Sequence, residues 1–425
     1  MNLPMAVYYR DQIDFRPSRT PIGGRGLFVS PDWSPSGASS RGLIHPLVRW
    51  GFYGYTFSLP FEYPEREIPV EVHTLTGAVF LLLTLLQPRI CFRSAPRALY
   101  WLGAFLCLYL VRVCFAEHLD DALRQFFNLL QVFFLFWAAY NLLQDRQIAK
   151  TVFLSFVAAC TLLVIMGRLG LTEAAQMTMT TDIGRMTMFG QDANGLASRL
   201  ALTVVILAGS AFEGHKLRPR YALLILPFLA LHFATIEYTG SRGAYLALLI
   251  GLAVFGLGGS GFRSRARVLI LTLLVVGLWL GVSYRAGNMW GRLERTLQGG
   301  DMSGREMIYP AAIEMVLEQP LLGFGPADNL YELEDRVNDN RPYRDTHNLV
   351  LELFTSCGIM GAIPYLACIA LCVRAGWKAR TGAAGMIPLA MSVTLLAMSM
   401  SINMVASKTL WLVLAYAAAV GSSQE

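Results

Sequence analysis

Apolar runs of roughly 17–25 residues recur along this sequence, and each is long enough for a helix to cross a hydrocarbon core of about 30 Å. They fall near residues 43–60, 73–90, 97–116, 122–143, 148–168, 193–212, 220–238, 241–258, 267–284, 346–373, 384–402 and 404–421. The expected fold is therefore all-α, a polytopic membrane protein of about twelve transmembrane helices. Composition agrees, since 55% of the residues are hydrophobic and 15% charged, where soluble domains carry nearer a quarter charged. Mean hydropathy is +0.47.

Residues 1–42 are polar and rich in Arg, Pro, Ser and Gly. They lack the apolar core of a cleavable signal peptide and are expected to form a flexible cytoplasmic arm. The seven cysteines, at 91, 107, 114, 160, 357, 368 and 372, fall in or beside the spans without metal-ligand spacing, so neither a zinc site nor a disulfide framework is implied. A net charge of +6 is spread over short loops rather than gathered on one domain, which argues against nucleic acid as a partner. The same charges orient the chain. The arm, the Arg89/Arg93/Arg97 turn, Arg146 with Lys150, and the HKLRPR, FRSRAR and RAGWKAR turns all fall on one side, which the positive-inside rule makes cytoplasmic. Both termini are then cytoplasmic. The partition is an arm (1–42), nine spans (43–284), a large outer loop (285–345) and three spans (346–421), with no repeat of 20–50 residues.

That orientation leaves three arginines on the disfavoured side. Arg185 lies in TTDIGRMTMFGQDANGLA, Arg242 opens the eighth span in EYTGSRGAYLAL, and Arg305 begins DMSGREMIYPAAIEMVLEQPLLGFGP. A guanidinium is planar, always charged and forked toward phosphate oxygens, so a lipid-linked diphosphate at headgroup level is the matching anion. Gly184, Gly240, Gly243 and Gly304 stand close by and allow the backbone to wrap an anion. The competing reading pairs each arginine with an acidic neighbour or has it snorkel to lipid phosphates.

Within the outer loop, Met307, Ile308, Ala311, Ala312, Met315 and Val316 follow helical spacing and predict an amphipathic helix over 303–318, with Pro310 as a site for a kink. PLLGFGPADN then turns the chain, and YELEDRVNDNRPYRD is the candidate mobile element. His347 starts the tenth span, with Asp345 or Thr346 as its N-cap. Counting back from Arg374, a core of roughly twenty residues ends near Phe354 and sets His347 about 10 Å above the hydrocarbon, at the depth of diphosphates. A helix N-terminus favours the neutral imidazole, which suits a general base. The plainer reading makes His347 an interfacial polar residue. Asp345, Glu352 and the intramembrane Glu237 are the carboxylates that could support it.

With those residues in place, the chain resembles the O-antigen ligase and O-antigen polymerase superfamily over roughly residues 180–375. The resemblance rests on SGR, a helix, PLLGFGP, then His347 and Asn348, nine residues, and Gly358-Ile-Met-Gly361, together with the blocks around Arg242 and around Arg185 and Asn194. It implies a glycosyltransferase of the bacterial inner membrane with its site facing the periplasm. The donor would be O-antigen on undecaprenyl diphosphate and the acceptor the lipid A-core oligosaccharide, with neither ATP nor a metal required. His347 would be the catalytic base in an inverting displacement. Arg185 and Arg242 would hold the diphosphate, Arg305 would serve anion binding or loop folding, and Asn348, Asn194, Asp345, Glu352 and Glu237 would support them.

Two alternatives stay open. A polymerase of the same superfamily would extend the glycan on its carrier, and the spacing from His347 to Gly358 and Gly361 favours the ligase over it. A lipid-linked oligosaccharide flippase would distribute charge through several spans, often with an internal repeat, whereas here the basic groups gather at one level.

Overall fold

A computed structural model of the chain describes residues 44–61, 71–171, 185–189, 191–213, 216–217, 219–258, 304–337 and 345–422, with single positions at 277, 281 and 298. The expected N-terminal arm, nearly all of the ninth span at 267–284 and of residues 285–303, and residues 338–344 of the outer loop lie outside the described residues.

The described part is helical: α1 (Pro46–Ser58), α2 (Val72–Thr84), α3 (Pro88–Cys91), α4 (Arg97–Val113), α5 (Leu119–Leu142), α6 (Arg146–Arg168), α7 (Ala193–Ser210), α8 (Pro219–Thr239), α9 (Arg242–Leu257), α10 (Arg305–Glu318), α11 (Asp328–Val337), α12 (Leu349–Lys378), α13 (Ile387–Met398) and α14 (Lys408–Ser422). The departure from an all-α chain is a two-residue antiparallel pair, Phe212–Glu213 with Lys216–Leu217. Four helices, Leu119–Leu142, Arg146–Arg168, Ala193–Ser210 and Leu349–Thr381, are long and apolar enough to cross a membrane, and five shorter apolar ones accompany them. The expected run 384–402 is helical only over 387–398 because its last residues close into turns, with the N–H groups of Met400 and Ser401 donating to Ala397 and Met398.

Helix starts follow local chemistry. Asp145, Asp192, Ser241 and Asn348 each accept backbone N–H groups from the first turn of the helix that follows, which offsets donors that have no partner inside the helix. Pro227 and Pro364 sit inside α8 and α12 without ending them. Packing gathers on α12, which lies against α4 and α14, while α7 packs on α8, α9 and α13. Trp411 of α14 is 1% exposed and meets Phe136 and Tyr365 edge-on, with ring centroids 5.7 and 5.4 Å away. Its indole N–H and the Tyr365 hydroxyl both donate to the Val405 carbonyl, at 2.9 and 3.0 Å, so neither ring buries an unmet polar tip. Large side chains such as Leu223, Leu224 and Leu246 face outward, as lipid-facing positions do.

Helices α10 and α11 differ from expectation in two respects. Of the predicted stripe on α10, Ile308, Ala312 and Met315 are buried and Ala311 and Val316 half-buried, while Met307 faces outward; Ile313 and Leu317 are exposed as well, so the opposite face is also partly apolar. Pro310 lies within α10, near its first turns, without interrupting it. The first half of the expected mobile run is instead anchored as α11. Asp328 accepts the backbone N–H groups of Glu117 and His118 at 3.0 Å and lies 2.9 Å from His118 Nδ1. Tyr331 stacks on His118 and donates to Asp121 at 2.9 Å, and Arg336 binds Glu318 and Glu332 at 2.6 and 2.7 Å. Asp121 is thus part of this clasp.

The segment between α10 and α11 docks into a break in α12. Gly358 has φ 59° and ψ −166° inside that helix, a conformation essentially restricted to glycine. The helix opens there, and its exposed backbone groups pair with the PLLGFG segment. Phe324 and Gly325 donate to the carbonyls of Thr355 and Ser356 at 2.8 and 3.0 Å, and Ile359 and Met360 donate to those of Pro320 and Leu321 at 2.9 and 3.2 Å. Arg112 of α4 donates to the Gly323 carbonyl at 3.1 Å. A Cβ on Gly358 would lie 2.4 Å from the Leu321 backbone, which the paired backbones cannot yield. Gly358→Ala should destabilise the protein by about 3 kcal/mol. Gly54→Ala, where a Cβ meets nothing within 4 Å, should not; thermal unfolding in detergent compares them.

Candidate functional site

Three helix ends meet at the turn that follows α13. Its Ser399 carbonyl accepts the Leu349 N–H at 2.8 Å, which ties the start of α12 to the turn. Its Ser401 carbonyl accepts an Nη of Arg305 at 2.8 Å, and Tyr309 reaches the Met400 carbonyl at 3.3 Å, which ties the start of α10. The Ser401 side chain lies where a Cβ on Gly243 would stand, so α9 comes in closely beside Arg242, its first residue. Glycine at 243 permits that approach.

His347 stands just before α12. Asn348 is the N-cap, its side chain accepting from Val350 and Leu351 at 3.0 and 3.2 Å, which replaces the expected Asp345 or Thr346. That shift leaves His347 outside the helix with φ 48°, a left-handed conformation uncommon for a residue with a Cβ. Asp345 stabilises it. One oxygen accepts the His347 backbone N–H at 2.8 Å and lies 2.5 Å from Nδ1. With Nδ1 engaged, Nε2 is the nitrogen left to meet a substrate.

The expectation of an imidazole held neutral by the helix end is corrected by this contact. Partial burial disfavours the charged ring, but the hydrogen bond and charge of Asp345, joined by Asp192, outweigh it and raise the His347 pKa above the ordinary histidine value, with Arg305 pulling the other way. The charges of Asp192 and Arg305 therefore both reach this ring.

Arg185 is held one layer away. Its Nε donates to the Thr239 carbonyl at 2.9 Å and an Nη donates to Asn194 Oδ1 at 2.9 Å. The same Asn194 oxygen accepts the Ser241 hydroxyl at 2.9 Å, and Met186 N–H donates to Tyr238. Arg185, Asn194, Ser241 and Arg242 thus occupy one junction of the 185–189 segment with the ends of α7, α8 and α9. Gly240, at φ 61°, turns the chain between α8 and α9; Gly184 lies outside the described residues.

The two remaining carboxylates do other work. Glu352, 6% exposed, accepts from Asn329 at 2.9 Å and from the Thr346 hydroxyl and N–H at 3.0 and 3.3 Å, so it shapes the Asp345–His347 loop from behind. Glu237 is fully buried and accepts the Tyr245 hydroxyl at 2.5 Å, pairing α8 with α9 rather than orienting the histidine. Of the three candidates, Asp345 is the partner of His347.

Residues passed over in the sequence include Asp192, Ser241, Asn329, Ser399 and Ser401. Asp192 and Ser241 carried a signal, an N-cap residue directly before a helix. Ser399 and Ser401 act chiefly through backbone carbonyls, which no side-chain pattern announces. Among the described residues no group of three or more His, Cys, Asp or Glu could hold a metal ion, and all seven cysteines are free.

Asp345→Asn should shift the His347 imidazole titration, followed by NMR, to lower pH, because the carboxylate favours the protonated ring. An unmoved midpoint would remove Asp345 as its partner.

Residues 227–366, about a third of the chain, match the family model described as O-antigen ligase. The match begins within α8 and ends within α12, so it includes Glu237, Arg242, Arg305, Asp345, His347, Asn348 and Glu352, while Arg185 and Asn194 precede it. It supports a member of the O-antigen ligase/polymerase superfamily. No curated protein matches the chain at the significance required.

Proposed function

From its place in the O-antigen ligase/polymerase superfamily, we propose that this chain is an inner-membrane ligase that transfers O-antigen polysaccharide from undecaprenyl diphosphate to the lipid A-core oligosaccharide at the periplasmic face. The observation that carries this reading is the gathering of His347, Arg242 and Arg305 around the 399–401 turn, with Arg185 joined through Asn194 and Ser241.

In the proposed step, Nε2 of His347 accepts the proton of an acceptor sugar hydroxyl as its oxygen attacks the anomeric carbon of the donor. The bond from that carbon to the diphosphate oxygen breaks, and the electron pair leaves with undecaprenyl diphosphate. Attack from the face opposite the leaving group inverts the anomeric centre. Asp345 holds the ring and stabilises the imidazolium that forms, a contribution that matters most once the proton has moved. Arg185, Arg242 and Arg305 bind the diphosphate and offset its growing charge, as fixed cations do in a partly dry site. This assigns to guanidinium groups the charge stabilisation that a divalent metal supplies in other transferases.

The ligase reading over polymerase follows the spacing from His347 to Gly358 and Gly361. In reconstituted membranes supplied separately with lipid A-core and with carrier-linked glycan, product should form on lipid A-core. Product on carrier-linked glycan alone would assign the chain as a polymerase. His347→Ala should lower transfer by roughly 10²–10⁴-fold and leave donor binding measurable; transfer at the wild-type rate would sink the base assignment.

A further inference from the structure

Large apolar side chains are exposed where the segment after α10 meets the break in α12. Leu317, Leu321 and Leu322 come from one side of this joint, the first of them 76% exposed, and Ile359, Met360 and Ile363 come from the other. Hydrogen bonds from the Ile359 and Met360 N–H groups to the Pro320 and Leu321 carbonyls hold the two sets side by side. A grouping of this kind is costly in water and marks a surface that something apolar covers.

Depth identifies the cover. The starts of α10 and α12 share the 399–401 turn, through Arg305 and Leu349. The chain leaving α10 instead meets α12 at Ile359, about 15 Å farther along the axis at 1.5 Å per residue. Counted back from Arg374, a hydrocarbon core of about 30 Å ends near Phe354, so the joint lies inside it. At 14 residues, α10 is about 21 Å long and can make that descent.

The backbone is prepared for such a place. Non-helical chain is tolerated at membrane depth where protein satisfies its polar groups. Here the N–H groups of Gly323, Phe324 and Gly325 and the carbonyls of Pro320, Leu321 and Gly323 are paired with Gln319, α12 or Arg112. The carboxylates nearest the patch are drawn toward α11, with Glu314 and Glu318 lying 3.9 and 2.6 Å from Arg336.

We propose that residues 317–322 are a re-entrant segment seated in the bilayer, where Leu317, Leu321 and Leu322 join Ile359, Met360 and Ile363 as one surface for the acyl chains of membrane phospholipids. That surface continues the outward side of α12, a helix long and apolar enough to span. The inference goes beyond the transferase reading and does not rest on it. It takes these residues out of the expected outer loop, and it gives Gly358 a further role: the break supplies the hydrogen bonds that let irregular chain enter hydrocarbon.

The test uses the full-length chain in liposomes of phosphatidylethanolamine and phosphatidylglycerol. The exposed Cys107 and Cys114 are changed to Ser, the remaining cysteines being buried, and bimane is attached at Leu317→Cys or Leu322→Cys. Asp335→Cys on the exposed side of α11 is the aqueous reference, and Leu246→Cys on the outward side of α9 is the lipid reference. Nitroxide-bearing acyl chains should quench the probe at 317 and 322 as they quench it at 246, and most of the iodide quenching seen at 335 should be lost. Iodide quenching equal to that at 335 overturns the proposal, because the segment then lies in water. Shielding from both quenchers overturns it as well, and assigns the patch to a protein cover such as a second copy. Should the labelled variants fail to fold, the wild-type chain photolysed with diazirine-bearing phospholipid decides: adducts on residues 317–322 support the seat, and their absence removes it.

Discussion

Backbone carbonyls at a helix end have no partner within the helix, and where the end is buried, as at Ser399, water does not supply one. The turn after Met398 meets that demand with donors from elsewhere in the chain: the Leu349 N–H on Ser399 and the Arg305 guanidinium on Ser401. Satisfying this one turn brings the starts of α10 and α12 together and sets α9, with Arg242, against them. Segments distant in sequence thereby share a corner. The same requirement operates at the Gly358 break, where the opened helix is closed by backbone from residues 320–325 rather than by water.

The two devices explain why the candidate site is built on helix ends and not on loops alone. A histidine with left-handed φ is held by a carboxylate two residues earlier, by the Asn348 cap and by Glu352 behind it. Each restraint is local to a dozen residues. Helices α10 and α11 add a second layer, in which the His118–Asp328 and Tyr331–Asp121 contacts fasten α11 to the α4–α5 connection. These contacts match polar groups that must be paired if they are to specify one arrangement, although Asn329 Oδ1, behind Glu352, is buried without a hydrogen-bond partner among the described residues.

Helical character and the residues of interest were legible because hydropathy and charge placement are properties of single segments. Arg242, Arg305 and His347 stood out for the same reason, being basic groups where orientation disfavours them. What was not legible depends on two segments at once. PLLGFGP reads as a turn, yet its conformation is decided by the gap at Gly358, and neither stretch names the other. YELEDRV reads as a solvated, mobile run, yet Tyr331, like Asp328 just before it, finds a partner more than two hundred residues earlier. The helix-end argument for a neutral His347 failed because it counted the dipole and left out a carboxylate in contact. Glu237 was drawn toward the histidine by depth alone, while its hydroxyl partner Tyr245 stands one helix over.

The break at Gly358 also divides α12 mechanically. In an uninterrupted helix, each residue inserted or removed rotates everything beyond it by about 100°. Here the rotation has no rigid path upward, since residues 355–360 are clamped to the 320–325 segment. The azimuth of His347 is therefore referenced to residues 320–325, whereas the portion beyond the break takes its own from α4 and α14, where Tyr365 meets Trp411.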